Sequence, residues 1–382
     1  MYQEGTGKIK TRSDSTEQEN PEKLIGQNLE EGLNPPVSAP ERRTEKRAKQ
    51  KAAKLATEEK WCKKDYVKRD EELAEVSEFI LLGLTKDHRQ HQVLFTLFLL
   101  LYVACLLGNG AILAVTMAEP RLHTPMYFFL GNLSCLDICF STVTVPKMLS
   151  GFLIKHQSIS FIGCLTQLHF FHFLGCSEAV LLGVMACDRY VAICNPLRYT
   201  IIMSKRTCVM LAGATWATGF FYALMHTVVT SQLCFCGPNL VPHLFCDIKP
   251  LLKLACSSTA LNFILLNLVT GSIAFCSFFF TLLSYFYIIS FLFLKVQSWR
   301  NRWKAFSTCA SHLTVVAIFY IPVLSNYMFA SASGSSEKEM IISVLYSVIT
   351  PVLNPLIYTL RNQEVRSAIR KILNQNVPFE RT

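Results

Sequence analysis

Residues Met185–Tyr199 read MACDRYVAICNPLRY, and the triplet Asp188-Arg189-Tyr190 within them closes an apolar run that begins near Cys164. Charges inside or at the edge of a membrane helix are costly and tend to be kept for a task. An arginine beside its own carboxylate can be held in one place and released to another. The plainer reading is an interfacial ion pair that anchors a helix end. The residues on either side of the triplet decide between the two.

Working outward, the 382-residue chain is 51% hydrophobic and 12% aromatic, with a mean hydropathy of +0.32. Its apolar residues fall in blocks, and about 20 apolar residues suffice to cross a bilayer. Seven such spans lie at roughly 93–117, 126–149, 164–190, 207–229, 262–294, 304–327 and 340–360. Backbone groups cannot be left unpaired in lipid, so spans of this length are helices. The short alternating strands of a membrane barrel are missing from the pattern. An all-α membrane protein, a bundle of seven transmembrane helices, is therefore expected.

The formal net charge of +10 is unevenly spread. Residues 1–75 carry sixteen basic and sixteen acidic side chains, so the excess comes from the remaining 21 Lys/Arg and 11 Asp/Glu. Fourteen of those 21 lie at the end of or after the first, third, fifth and seventh spans, among them Arg121, Arg198, Lys205, Arg206, Lys295, Arg300, Arg302 and Arg361. The alternate loops hold few, such as Lys155, Lys249, Lys253 and Lys338. This is the positive-inside pattern. It predicts a plasma-membrane protein with its C-terminus in the cytoplasm and its N-terminus outside, and it makes nucleic acid a poor explanation for the basic residues.

Residues 1–75 are rich in Glu, Lys, Gln, Ser and Pro and read as a disordered, charged extension. No apolar segment after Met1 resembles a signal peptide, so the first span is expected to act as its own insertion signal. Domain limits follow: 1–75 extension, 76–361 seven-span domain, 362–382 tail. Within the tail, NQEVRSAIRKIL sets Val365, Ile369 and Leu373 four apart with bases opposite, an amphipathic helix suited to the inner membrane surface.

Several linked patterns then resemble one family in the same order: VSEFILLGLT (76–85), Gly108-Asn109, PRLHTPMYFFLGNLSCLDIC (120–139), MA-x-DRYVAIC-x-PLRY (185–199), KAFSTCASHLTVVAIFYIP (304–322) and PVLNPLIYTLRN (351–362). The chain resembles the olfactory receptors, a branch of the rhodopsin-like G-protein-coupled receptors, from about Val76 to Leu373. It departs from that pattern in three places. The usual outer-tail glycosylation sequon is missing, since the sequon at Asn132-Leu-Ser134 falls inside the second span. Cys187 stands where Tyr is more usual. The N-terminal extension is unusually long.

The resemblance implies a small volatile odorant as ligand, bound without a catalytic residue or cofactor in the half of the bundle away from the cytoplasm. The stretch HFFHFLGCSE supplies His169, Phe171, His172, Gly175 and Cys176 from the third span. Val269 and Ser272 come from the fifth span, Tyr320, Leu324 and Tyr327 from the sixth, and Ser347 from the seventh. Such a wall is mostly apolar with a few hydrogen-bonding points, and no Asp stands where amine receptors keep one. For the inner switch the resemblance implies Asp188, Arg189, Tyr190, Tyr285, Lys304, Asn354 and Tyr358. These would open a crevice for a stimulatory, olfactory-type heterotrimeric G protein and raise cyclic AMP.

Asp137 and Glu178 sit mid-span at similar depth, and two buried carboxylates cannot comfortably both be bare anions. They share a proton or hold a cation between them, or else are hydrogen-bonded structural groups. The resemblance points to a sodium ion, with Asn109 and Asn354 alongside.

Of fifteen cysteines, Cys164, Cys234, Cys236, Cys246 and Cys256 face the oxidising side, where bridges form. The resemblance implies Cys164–Cys246 and Cys236–Cys256, which leaves Cys234 over and fastens the loop between the fourth and fifth spans as a lid. His243-Leu-Phe-Cys246-Asp247 has the residue types of a soft-metal site. A Cys246 held in a disulfide cannot supply the thiolate, so no metal is expected. A transporter would show internal repeats, and an enzyme a motif such as HExxH, CxxC or GxSxG; the chain has none of these. A receptor of the same fold that senses a non-odour metabolite outside the olfactory epithelium is the alternative that sequence does not separate.

Overall fold

The computed structural model describes residues 76–375 apart from 85–87, 155–156, 237 and 328–335. The reading of the 1–75 extension lies outside the described residues.

Seven helices are long and apolar enough to cross a membrane. The first runs His88–Ala118, the second Pro125–Leu153, the third Phe161–Cys194, the fourth Lys205–Ser231 and the fifth Ala260–Lys295. The sixth runs Trp299–Tyr327 and the seventh occupies 336–361. An amphipathic helix, Gln363–Gln375, follows. The helices overrun the apolar blocks by a few residues because their end turns are polar and capped. Pro125, lacking an N–H that a first turn could not use, opens the second. Ser160 and Ser204 accept the N–H of Gly163 and Thr207 to cap the third and fourth. The third helix continues one turn beyond Tyr190, so the charged triplet lies inside it.

The third helix is the axis of the bundle, buried along most of its length, and it packs on the second, fourth and fifth. It approaches the fourth closely at Gly219, where an added Cβ would lie 2.6 Å from the Phe173 carbonyl oxygen. Small residues let helix backbones meet in lipid, where no hydrophobic force drives them together. Around the outside stands a belt of exposed apolar side chains, including Val93, Leu100, Leu107, Phe279, Phe286 and Leu294. Asn132, the residue of the one sequon, is inside the second helix and accepts the indole N–H of Trp216 at 3.1 Å.

The lid contains a small sheet that the hydropathy reading does not foresee. Strand β1, Glu78–Leu81, pairs antiparallel with β2, Ser158–Ser160, and parallel with β3, Leu240–Val241. Its alternate residues Phe79 and Leu81 are buried, with the Phe79 ring against Phe161 and Phe235. Both expected disulfides are present, Cys164–Cys246 and Cys236–Cys256. Cys234 is not left over: it too is disulfide-bonded. The amide N–H of Cys246 also donates to Gln167 at 2.9 Å, so the lid is tied to the third helix by a covalent bond and a hydrogen bond.

Candidate functional site

Beneath the lid lies a cavity of about 50 Å³, walled by the second to seventh helices. Phe171, His172, Gly175, Cys176 and Tyr327 of the expected set line it. The other expected residues sit elsewhere. His169 turns to the fourth helix, with Nδ1 3.3 Å from the Thr227 hydroxyl. Tyr320 is fully buried and donates to the Ala179 carbonyl at 2.7 Å. Val269 packs behind Cys176 and Tyr222, Leu324 packs against the main core, and Ser347 donates to the Ser343 carbonyl.

Ser272 is exposed on the fifth helix and bonded to the Leu268 carbonyl of its own turn, so it does not face the cavity. A π turn over Leu266–Thr270 is the cause. Such a turn holds one residue more than an α turn and moves the face beyond it by about 100°. Thr270, Ile273 and Ala274 therefore line the cavity in place of Val269 and Ser272. A second π turn, Leu345–Ile349, presents Tyr346 rather than Ser347. Phe140, Ala179, Tyr222, Phe319 and Val323 complete the wall. The one sequence signal that could have found this side is Tyr222 with His226, two polar residues four apart in an apolar span.

Polar groups cluster where the wall meets the lid. Asp247, almost fully buried, accepts from His172 Nε2 at 3.0 Å and from the Ile248 N–H at 2.7 Å, capping the short lid helix Ile248–Leu254. Burial alone would raise this carboxyl, but the His172 and Ile248 bonds hold it below the usual carboxylate range, so it is ionised at neutral pH. Burial pushes the neighbouring His243 imidazole down, keeping it neutral. The residues of the soft-metal pattern are thus committed to a disulfide, a carboxylate–imidazole pair and a buried ring. No group of three or more His, Cys, Asp or Glu side chains placed to hold a metal ion occurs among the described residues.

At the far end of the third helix the Arg189 guanidinium donates to Asp188, which also accepts the Tyr199 hydroxyl at 2.8 Å. Asp188 is 1% exposed, so its charge depends on these two partners. Tyr285 lies beside the fully buried floor of the sixth helix, its hydroxyl 2.9 Å from His312 Nδ1. Tyr190 turns outward to the ring of Tyr287, and the Tyr358 hydroxyl is buried without a partner. Lys304 is in the sixth helix, but its side chain lies outside the described residues. Tyr199 and His312 belong to this group and were not singled out from sequence.

Between the two ends, Asn354 donates to both oxygens of Asp137 at 3.0 and 3.1 Å. Asn109 donates to the Pro351 carbonyl at 2.9 Å. Both Glu178 oxygens and the amide oxygens of Asn109 and Asn354 are buried with no partner. Four buried acceptors in the middle of the bundle are thus left without a donor. A larger cleft of about 710 Å³ opens between the second and fourth helices beside Thr200 and Lys205, among exposed apolar side chains such as Met117 and Val209.

A seven-pass helical membrane bundle with a cavity at one end and a buried carboxylate–arginine pair at the other is the architecture of a transmembrane receptor. A sequence model of the olfactory receptor family matches residues 98–376. The human olfactory receptors 12D1 and 12D3 are 56% and 54% identical over 300 and 307 residues, covering 78% and 80% of this chain and 94% and 97% of theirs. Rat olfactory receptor 1f45 is 46% identical over 303 residues, 79% of this chain and 96% of its own. The chain belongs to the olfactory receptor family; it is a multi-pass membrane protein and not an enzyme.

Proposed function

We propose that the protein is an odorant receptor that binds a small, mostly apolar volatile beneath the lid and activates a stimulatory, olfactory-type G protein, raising cyclic AMP. The lid faces outward and the latch faces the cytoplasm, in keeping with the charge asymmetry of the loops. The observation that carries this reading is the cavity: among the described residues it is lined mainly by aromatic and aliphatic side chains, with no Lys or Arg. At about 50 Å³ it has room for a few waters, whereas ligand pockets usually measure ~300–1,000 Å³. A ligand therefore has to enlarge it.

Enlargement works on the sixth helix, whose Phe319, Val323 and Tyr327 form one wall and whose Pro322 frees a backbone carbonyl at that level. Displacing the wall loads the Tyr320–Ala179 bond and, further along, the Tyr285–His312 contact. A sixth helix that swings outward uncovers Arg189 and lets it leave Asp188 for the G protein. The ligand shifts the populations only by its difference in affinity between the contracted and enlarged states.

The central polar group fits a sodium ion. Asp137, Glu178, Asn109 and Asn354 would hold it, and its charge would offset the two carboxylates in the contracted state.

The test is a cyclic AMP reporter assay with an odorant panel on surface-expressed receptor. Arg189→Ala should silence every response, and Gly175→Phe, which fills the cavity, should abolish responses while leaving surface expression intact. Normal signalling by Arg189→Ala overturns the reading.

A further inference from the structure

His172 is 5% exposed, and its ring is ordered from one side: Nε2 is held by the ionised Asp247 of the lid. Its other ring nitrogen makes no hydrogen bond among the described residues. Nor is Nδ1 sealed in protein, unlike His243 Nε2 and His312 Nε2, which are buried with no partner. With His172 in the cavity wall, Nδ1 is the ring nitrogen left to a ligand there.

The other polar groups of the wall already engage one another. The Tyr222 and Thr270 hydroxyls are 2.6 Å apart, and Tyr327 is 3.3 Å from Tyr346. The Cys176 thiol remains, a weak hydrogen bonder.

A carboxylate can only accept, so Nε2 carries the proton. In the neutral ring Nδ1 is then an acceptor.

We propose that the cavity selects small neutral ligands that donate a hydrogen bond, alcohols or phenols, to His172 Nδ1, and that Asp247 sets this preference by fixing the ring's tautomer. This rests on the cavity being the ligand site, as proposed above. The lid thereby acts on ligand chemistry without touching the ligand. Exchanging a buried Asp for Asn behind a histidine is known in general to leave geometry intact while admitting the wrong tautomer.

The experiment measures binding of matched probes to purified full-length receptor in lipid nanodiscs: cyclohexanol, cyclohexanone and methoxycyclohexane, and phenol with anisole. The same probes are run in the cyclic AMP assay. The hydroxyl members should bind about tenfold tighter than their carbonyl or ether partners. Asp247→Asn should shrink that ratio to about twofold or less. His172→Phe should erase it while apolar binding persists. Equal binding, a preference for the ketone (the signature of an imidazolium), a ratio indifferent to Asp247→Asn, or no hydroxyl probe binding at millimolar concentration each overturns the proposal. The wild-type ratio is read without any variant, so misfolding of either one leaves the test intact. Selective binding without a cyclic AMP response would sink the receptor reading and spare this one; a response with no hydroxyl preference would do the reverse.

Discussion

Gly219→Ala tests the packing of the third helix on the fourth. A Cβ there would lie 2.1 Å from the Ser177 hydroxyl, 2.6 Å from the Phe173 carbonyl oxygen and 3.1 Å from the Ser177 amide nitrogen. The hydroxyl can rotate away, but the carbonyl belongs to a helix backbone and cannot. Restoring ordinary contact requires the two helices to part by roughly 0.8 Å. Overpacking of this kind costs about 1–3 kcal/mol. Against it stands a gain of about 1 kcal/mol from replacing a helical glycine by alanine. Gly213, on the same helix, has nothing within 4 Å of its would-be Cβ and supplies that gain alone. The assay is thermal unfolding of the detergent-solubilised receptor, with surface staining in parallel. Gly213→Ala should melt at or slightly above wild type. Gly219→Ala should melt several degrees below Gly213→Ala, with reduced surface staining. Equal melting of the two variants would show that the helices yield freely at this crossing, and the close-packing argument would fail.

Tyr199→Phe deletes one of two partners of the buried Asp188 carboxylate, and hydrogen bonds to charged groups are worth about 1.5–3 kcal/mol. Ligand-independent cyclic AMP should rise roughly threefold to tenfold; an unchanged basal level would show that Arg189 alone holds the latch. For the central polar group, the solubilised receptor should melt higher in sodium chloride than in choline chloride, by about 1.4 kcal/mol of stability at ten times the dissociation constant. Asp137→Asn should remove the difference, and equal melting of wild type in both salts would count against an ion there. Burial holds the folded His243 below its unfolded value of about 6.5. Below that pH the unfolded chain takes up the proton first, so the stability His243 contributes is present above about 6.5 and is lost as pH falls through the folded value. The melting temperature should drop between pH 7.5 and 5.5 and drop less in His243→Phe; identical pH profiles would assign the acid sensitivity elsewhere.

How much of this was legible beforehand depended on whether the cause was local. Seven spans, their approximate limits and the terminal amphipathic helix follow from apolar block length and spacing, because lipid imposes the same requirement on each segment separately. The triplet at Asp188 and the mid-span carboxylates were visible for a related reason: charge inside an apolar run stands out one residue at a time. Only the tertiary structure decided what those groups touch. Tyr199 reaches Asp188, and Tyr285 reaches His312 across 27 positions of sequence. Strand β1 finds partners 80 and 160 residues away. The cavity wall shows the limit most clearly. Thr270 rather than Val269, and Tyr346 rather than Ser347, line the cavity, and both pairs lie within π turns, each of which holds one residue more than an α turn. That extra residue is set by how one helix settles against its neighbours, and the apolar run itself carries no mark of it.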